Sequence, residues 1–429
     1  MFLLNRGYST KIDKELSIQG LILSAAGVNM PALKRRQLSS DLQIKLFDPQ
    51  MYFPIDLNST CKTTFNKLST YPWYNPNCPT FDSQEINLRD FSKQLQKKNS
   101  HSTVSYPNSS MDLKGRIKNC IDFQLSIDTS HIILPTPLVV DSEDQYTCQL
   151  TWINTALELC SNFNKPKLIT VALSDSVLIN KSFESNSLIQ TILDNLTAFD
   201  NVDGFYIVIS RSSSNTNITE KNIVQTVLEF SYVLGHLMGK QVFFNFIDNL
   251  GFLALAAGAS YFASGYTNKE RRLNFDDFID SSSGGAPLPH FYSYTLIGDL
   301  FTDRDLSKIR DARLLNFIKD DITNFSENLY NALKSNIDIE NLPDWRESRN
   351  NVTKAKLHRA ELLHTKVGEL MSLDFNTKIN YTLSWLQQAE INASYLENRF
   401  KNDPISEDFR HITVWRNCFE KFIEKYNLL

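Results

Sequence analysis

The chain has 429 residues, of which 42% are hydrophobic and 21% charged, and its formal net charge is −4. These are the proportions of an ordinary globular protein, and the length suits one large domain with an appendage, or two domains. The charge balance excludes a whole-protein nucleic-acid footprint, and the six scattered cysteines contain no CxxC pair, which excludes a zinc ribbon or a thioredoxin-like site. In a chain this large and this rich in core residues, all six are expected to be reduced thiols.

The opening stretch MFLLNRGYSTKIDKEL is too short an apolar start for a signal peptide, and GLILSAAGVNMPAL is too short to span a bilayer. A cytoplasmic location and no membrane contact are expected. The first two strands are expected in GLILSAA (20–26) and IKLFDPQMYF (44–53). Between 84 and 118 lies a polar insertion, expected to be flexible in its middle.

From about Ser130 to Leu300, apolar runs alternate with amphipathic stretches. The third to seventh strands are read in SHIILPTPLVV, KLITVALSD, DGFYIVIS, QVFFNFID and SYFASG, and the eighth in HFYSYTLIG (290–298). One intervening helix, IVQTVLEFSYVLGHLMG, ends at Gly239. Continuous apolar strands of this kind belong to a parallel sheet covered on both faces. Eight of them with alternating helices indicate an α/β fold, a (β/α)8 TIM-barrel-like domain over 1–304. The alternative is a doubly wound open parallel sheet, which usually carries a Gly-rich first turn; the chain has no GxGxxG or GxxxxGK[ST]. After about Asp305 the periodicity turns helical throughout, which predicts a helical C-terminal subdomain over 305–429.

In such a barrel the reactive groups stand after the strand ends. The sequence puts Asp48, Asp175 and Asp248 there. These are the candidate catalytic residues, with Asp175 and Asp248 as acid/base or nucleophile and Asp48 in support. Paired carboxylates of this kind suit cleavage of a glycosidic bond or base exchange on a nucleoside. Arg211, Asn245, Arg271, His290, Tyr292 and Trp73 are the candidate substrate-binding residues, Trp73 because the loop YPWYNPN suits stacking on a sugar or base. Arg271, with Arg272 or Lys269, suits a phosphate, so a small-molecule or nucleotide-type ligand is expected. Each has a structural reading too: Asp248 and Asp175 as helix caps, Asp48 as the start of an Asp-Pro turn, YPWY as a satellite aromatic cluster and NKERR as a solvated loop.

No HxH, HExxH or dense carboxylate cluster points to a metal, and no cofactor is expected. The last helix, within 399–426, interleaves cations with aromatic residues, a pattern that holds single-stranded nucleic acid, but the same rings form one apolar stripe at helical spacing. The expected function is therefore an enzyme of hydrolase or glycosyl-transfer type. The alternative is a non-catalytic scaffold binding a protein or nucleic acid through its helical C-terminus.

Overall fold

A computed structural model describes residues 1–6, 12–18, 20–35, 42–53, 61–74, 110–280 and 287–428. Eight parallel strands form its centre: β1 Phe2–Arg6, β2 Gly20–Ser24, β3 Ile44–Asp48, β4 Ile132–Leu134, β5 Lys167–Ser174, β6 Gly204–Ser210, β7 Gln241–Asn245 and β8 Tyr261–Ser264. Their order is β3-β2-β1-β8-β7-β6-β5-β4, the sequential order of a barrel cut between β3 and β4. Ser130 bridges that cut: its N–H donates to Lys45 O at 2.7 Å, and its hydroxyl accepts from Lys45 N at 2.9 Å. The fold is a (β/α)8 barrel with a helical C-terminal region.

Helices in chain order are α1 Met30–Arg35, α2 Lys62–Leu68, α3 Ser110–Ser126, α4 Glu143–Cys160, α5 Asp175–Ile179, α6 Ser187–Thr197, α7 Lys221–Phe230, α8 Gly251–Ala257 and α9 Asn268–Arg271. After the barrel come α10 Arg304–Asp311, α11 Glu327–Lys334, α12 Thr353–Met371, α13 Phe375–Arg399 and α14 Arg410–Tyr426. Strands β5 and β6 are buried from end to end except Lys167 because the barrel interior covers one face and helices the other. Gly204 on β6 shows how tight the ladder is, since a Cβ there would lie 2.0 Å from Gln241 O.

Three sequence expectations are corrected. The first barrel strand is Phe2–Arg6, fully buried, so the expected series starts one strand late. The stretch expected as the eighth strand is instead an antiparallel hairpin outside the barrel, β9 His290–Ser293 paired with β10 Gly298–Phe301. Residues 84–109 of the expected insertion lie outside the described residues, but 110–118 belong to α3, where Leu113, Ile117, Cys120 and Ile121 bury one helical face.

The C-terminal region is packed onto the barrel. In α14, Phe409 at its N-cap and Trp415, Phe419 and Phe422 are all buried, and Trp415 Nε1 donates to Ile218 O at 2.7 Å just ahead of α7. Lys425 pairs with Glu229 of α7, and Arg416 with Glu390 and Glu420. Those four rings are core, while Phe400 and Tyr426 are half-buried. Cys120, Cys160 and Cys418 are free thiols; Cys78 lies outside the described residues. No helix among the described residues is long and apolar enough to cross a membrane.

Candidate active site

A cavity of about 950 Å³ opens at the C-terminal ends of the strands. Its floor is Asn5 of β1, Ser24 at the end of β2 and Gln50 just after β3; Tyr266–Arg271, after β8, form one wall. The opposite walls come from outside the barrel: His290, Asp299 and Phe301 of the β9–β10 hairpin, Lys356 and Arg359 of α12, and Ser406 and Glu407 before α14. The segment after β8 runs across the strand ends, where Leu273 bridges Ser210 of β6 and Arg272 bridges Ile247 after β7. This crossing carries Arg271 inward.

Beneath the floor the barrel holds a polar network. Asp48, with no solvent exposure, accepts from Tyr52 Oη at 2.5 Å, Tyr206 Oη at 2.8 Å and Gln50 N at 3.0 Å. Burial pushes its carboxyl up to about 6, in spite of the hydrogen bonds from Tyr52, Tyr206, Gln50 and Asn245. Asn245 Nδ2 donates to Tyr206 Oη at 2.6 Å, and its Oδ1 accepts from Asn5 Nδ2 at 2.9 Å.

At the mouth, Asp248 and Asp299 share two guanidinium groups. Asp248 Oδ2 accepts from Arg271 Nε at 3.1 Å and Nη2 at 2.7 Å, while Oδ1 accepts from Arg359 Nη2 at 2.7 Å and Ser264 Oγ at 2.5 Å. Asp299 accepts from Arg271 Nη2 at 2.6 Å and from Arg359 Nη1 at 2.9 Å. The Arg359 guanidinium also lies 4.2 Å over the Tyr292 ring. Burial by itself would raise both carboxyls, but Arg271 and Arg359 outweigh it and hold them below the usual carboxylate range. Two positive and two negative charges thus balance in a nearly dry setting, which is what keeps a buried network from being costly. The turn that presents Asp248 is strained, with φ of +65° at Phe246 and +46° at Asp248.

Glu407 lies against this network. Its Oε2 accepts from Asp299 N at 2.9 Å and its Oε1 from Asn217 Nδ2 at 3.4 Å, and Arg271 and Asp299 act on it only at a distance. Burial and the neighbouring Asp299 charge push its carboxyl up to about 8. Asp299 and Glu407 also wall a second cavity of about 240 Å³ that continues the first between Thr216 and His411.

The three strand-end aspartates are held by different partners. Asp175 begins α5 and accepts from Ser212 N at 2.6 Å and Ser212 Oγ at 2.7 Å, tying the β5 loop to the β6 loop. Asp248 does not cap a helix with its side chain, as the Asp-cap reading expects; both its oxygens go to Arg271, Arg359 and Ser264. None of these three residues lines the cavity. Arg211 is buried and donates to Asn215 O and Thr216 O, with burial lowering it to about 10. Trp73 is fully buried among Phe47, Tyr71 and Phe123 and does not line the cavity, and Asn75–Asn77 of its loop lie outside the described residues. Tyr292 is buried beneath Arg359, whereas Arg271 and His290 do line the cavity. Arg272 is held by Asp277 at 2.8 Å through both Nε and Nη2.

Asp299, Arg359 and Glu407 escaped the sequence reading. Arg359 had a signal, because His358-Arg359 interrupts the apolar face of α12 between Ala355 and Leu363. Asp299 was hidden by the misread eighth strand, and Glu407 stands in a non-periodic loop. No family model, curated protein or solved structure matches the chain.

Proposed function

We propose that the chain is an enzyme that cleaves or transfers a glycosidic or N-glycosidic bond in the barrel-mouth cavity, with Glu407 as proton donor and Asp299 as the stabilising carboxylate. One observation carries this reading: Glu407 and Asp299 stand side by side on one cavity wall, in surroundings that push the first carboxyl up to about 8 and hold the second below the usual range. Two carboxyl groups whose environments drive their affinities for protons apart are the arrangement acid-assisted glycosyl chemistry requires.

In this mechanism Glu407 gives its proton to the departing oxygen or ring nitrogen as the bond to the anomeric carbon breaks. The positive charge left on the sugar is stabilised by Asp299. Water attacks that carbon and returns a proton to Glu407, so the products are the free sugar and the protonated leaving group. In this reading the catalytic part expected of Asp175 and Asp248 passes to Glu407 and Asp299, because the latter pair line the cavity and the former do not. Asp48 keeps a supporting place below the floor, and Arg271 and Arg359 fix Asp299.

The test is a panel of nitrophenyl glycosides, nucleosides and nucleoside monophosphates, followed by chromatography for released phenol or base. A substrate turned over by the parent and slowed at least ~100-fold in Glu407→Gln is the expected result, the scale of a lost general acid. Turnover of such a substrate at parental rate by Glu407→Gln, or no turnover across the panel, contradicts it.

A further inference from the structure

Three lysines from separate elements converge on the same cavity: Lys67 of α2, Lys269 of α9 and Lys356 of α12. Chain distance makes this convergence a product of the fold rather than of a local charge run. Among the described residues, none of the three has a carboxylate within ion-pair distance. Lys269 Nζ lies 5.3 Å from the Phe278 centroid and Lys356 Nζ 5.8 Å from that of Tyr266.

The acids around the cavity are committed elsewhere. Glu270 accepts from Tyr266 N, Thr267 N and Thr267 Oγ1 in a capping box; Asp277 holds Arg272; Asp299 holds Arg271 and Arg359. Asp280 accepts from Thr63 N at 2.8 Å and also acts on Lys67. Glu407, its carboxyl pushed up to about 8, adds little negative charge at neutral pH. Among the described residues, the three ammonium groups thus outnumber Glu270 and Asp280, the lining carboxylates that stand outside the arginine pairs, Glu407 apart. Burial first, and then the charge of Lys269, lower the Lys67 ammonium from the usual range. Like charges gathered in a cleft cost free energy that a bound anion recovers, and they draw anions in.

We propose that Lys67, Lys269 and Lys356 form a phosphate-monoester subsite of this cavity, so that its substrate is a phosphorylated glycoside or nucleotide. The inference rests on the glycosyl-bond reading of the same cavity and narrows its substrate class. Ammonium groups are compact point charges with rotatable donors, which fit a tetrahedral dianion without the planar fork that a carboxylate or guanine edge favours. The arginines that offer that fork, Arg271, Arg272 and Arg359, are already bidentate or shared between carboxylates. A cavity of about 950 Å³ is large enough for a nucleotide rather than for phosphate alone.

The test is calorimetric binding of AMP, adenosine, ribose 5-phosphate and ribose to the full chain at low and at 0.3 M salt. It is run on the parent, on the triple variant Lys67→Gln/Lys269→Gln/Lys356→Gln and on a Lys181→Gln control. The phosphorylated members are expected to bind at least ten-fold tighter than their unphosphorylated partners at low salt. The triple variant erases that difference, and the control keeps it. Equal binding of each pair, or a preference that survives the triple variant, overturns the proposal. Repeating the parent measurement in the Glu407→Gln background separates the two claims: phosphate preference there stands or falls without any turnover, whereas the glycosyl-bond reading stands or falls by catalysis alone.

Discussion

Replacing Asp248 by asparagine keeps the shape of the side chain and removes its charge. In the parent, one oxygen takes two N–H donors from Arg271, at 3.1 and 2.7 Å, and the other takes Arg359 and Ser264. The variant can retain the second set on its remaining oxygen, but its amide then turns two N–H groups toward the two N–H groups of Arg271. Two charge-assisted hydrogen bonds are lost, each worth about 1.5–3 kcal/mol. The network also goes from two positive and two negative charges to two positive and one negative. Both routes lead to about 3–5 kcal/mol of destabilisation, the usual cost of unpairing a buried ion. Urea unfolding measures it as a lower midpoint with unchanged slope. The sign of the pH dependence follows from the depressed carboxyl: its stabilisation is present above the unfolded value near 3.8 and is lost as pH falls through the folded value. The gap between parent and variant is therefore full at pH 7 and narrows below about pH 4. A loss under ~1 kcal/mol at pH 7, or additivity with Arg359→Met within ~0.5 kcal/mol, refutes the network reasoning.

Glu407→Gln mimics the protonated acid. Because the folded carboxyl is raised to about 8, the parent's stability falls as pH rises from the unfolded value near 4.5 to about 8, and the variant's does not, so thermal scans at pH 5 and pH 8 should diverge in the variant's favour at pH 8. Tyr206→Phe removes a donor to Asp48 and the acceptor of Asn245 Nδ2, and about 1–3 kcal/mol should be lost in urea unfolding with the fold retained. Trp415→Ala empties a fully buried site under α7 and should cost about 3–5 kcal/mol by the same measurement; a neutral result would return α14 to the surface and to partner binding.

Much of the barrel was legible because its strands are continuous apolar runs set between amphipathic stretches, as in KLITVALSD and DGFYIVIS, and a parallel sheet allows little else. The two ends of the series were not. Phe2–Arg6 contributes only three apolar residues before Asn5 and Arg6, and polar strand residues that point into a barrel mouth resemble loop. HFYSYTLIG has the composition of a barrel strand, and only the turn at Tyr294–Ile297, with Ile297 at φ +51°, makes it a hairpin. The same misreading governs the site. Strand-end logic picked out Arg271 and His290, which line the cavity, and also Asp175 and Asp248, which do not and whose partners Ser212 and Arg359 lie 37 and 111 residues away. Glu407 owes its proton to burial and to Asp299, 108 residues distant, and periodicity carries no trace of that.

The central claim is that one cavity wall pairs a protonated Glu407 with an ionised Asp299. Carboxyl-¹³C NMR of protein labelled at glutamate and aspartate, titrated from pH 4 to 10 and assigned with Glu407→Gln and Asp299→Asn, measures it without a substrate. The account predicts a Glu407 resonance that titrates near pH 8 and an Asp299 resonance that stays ionised throughout. A Glu407 midpoint near 4.5, the ordinary value for a solvated glutamate, would contradict it.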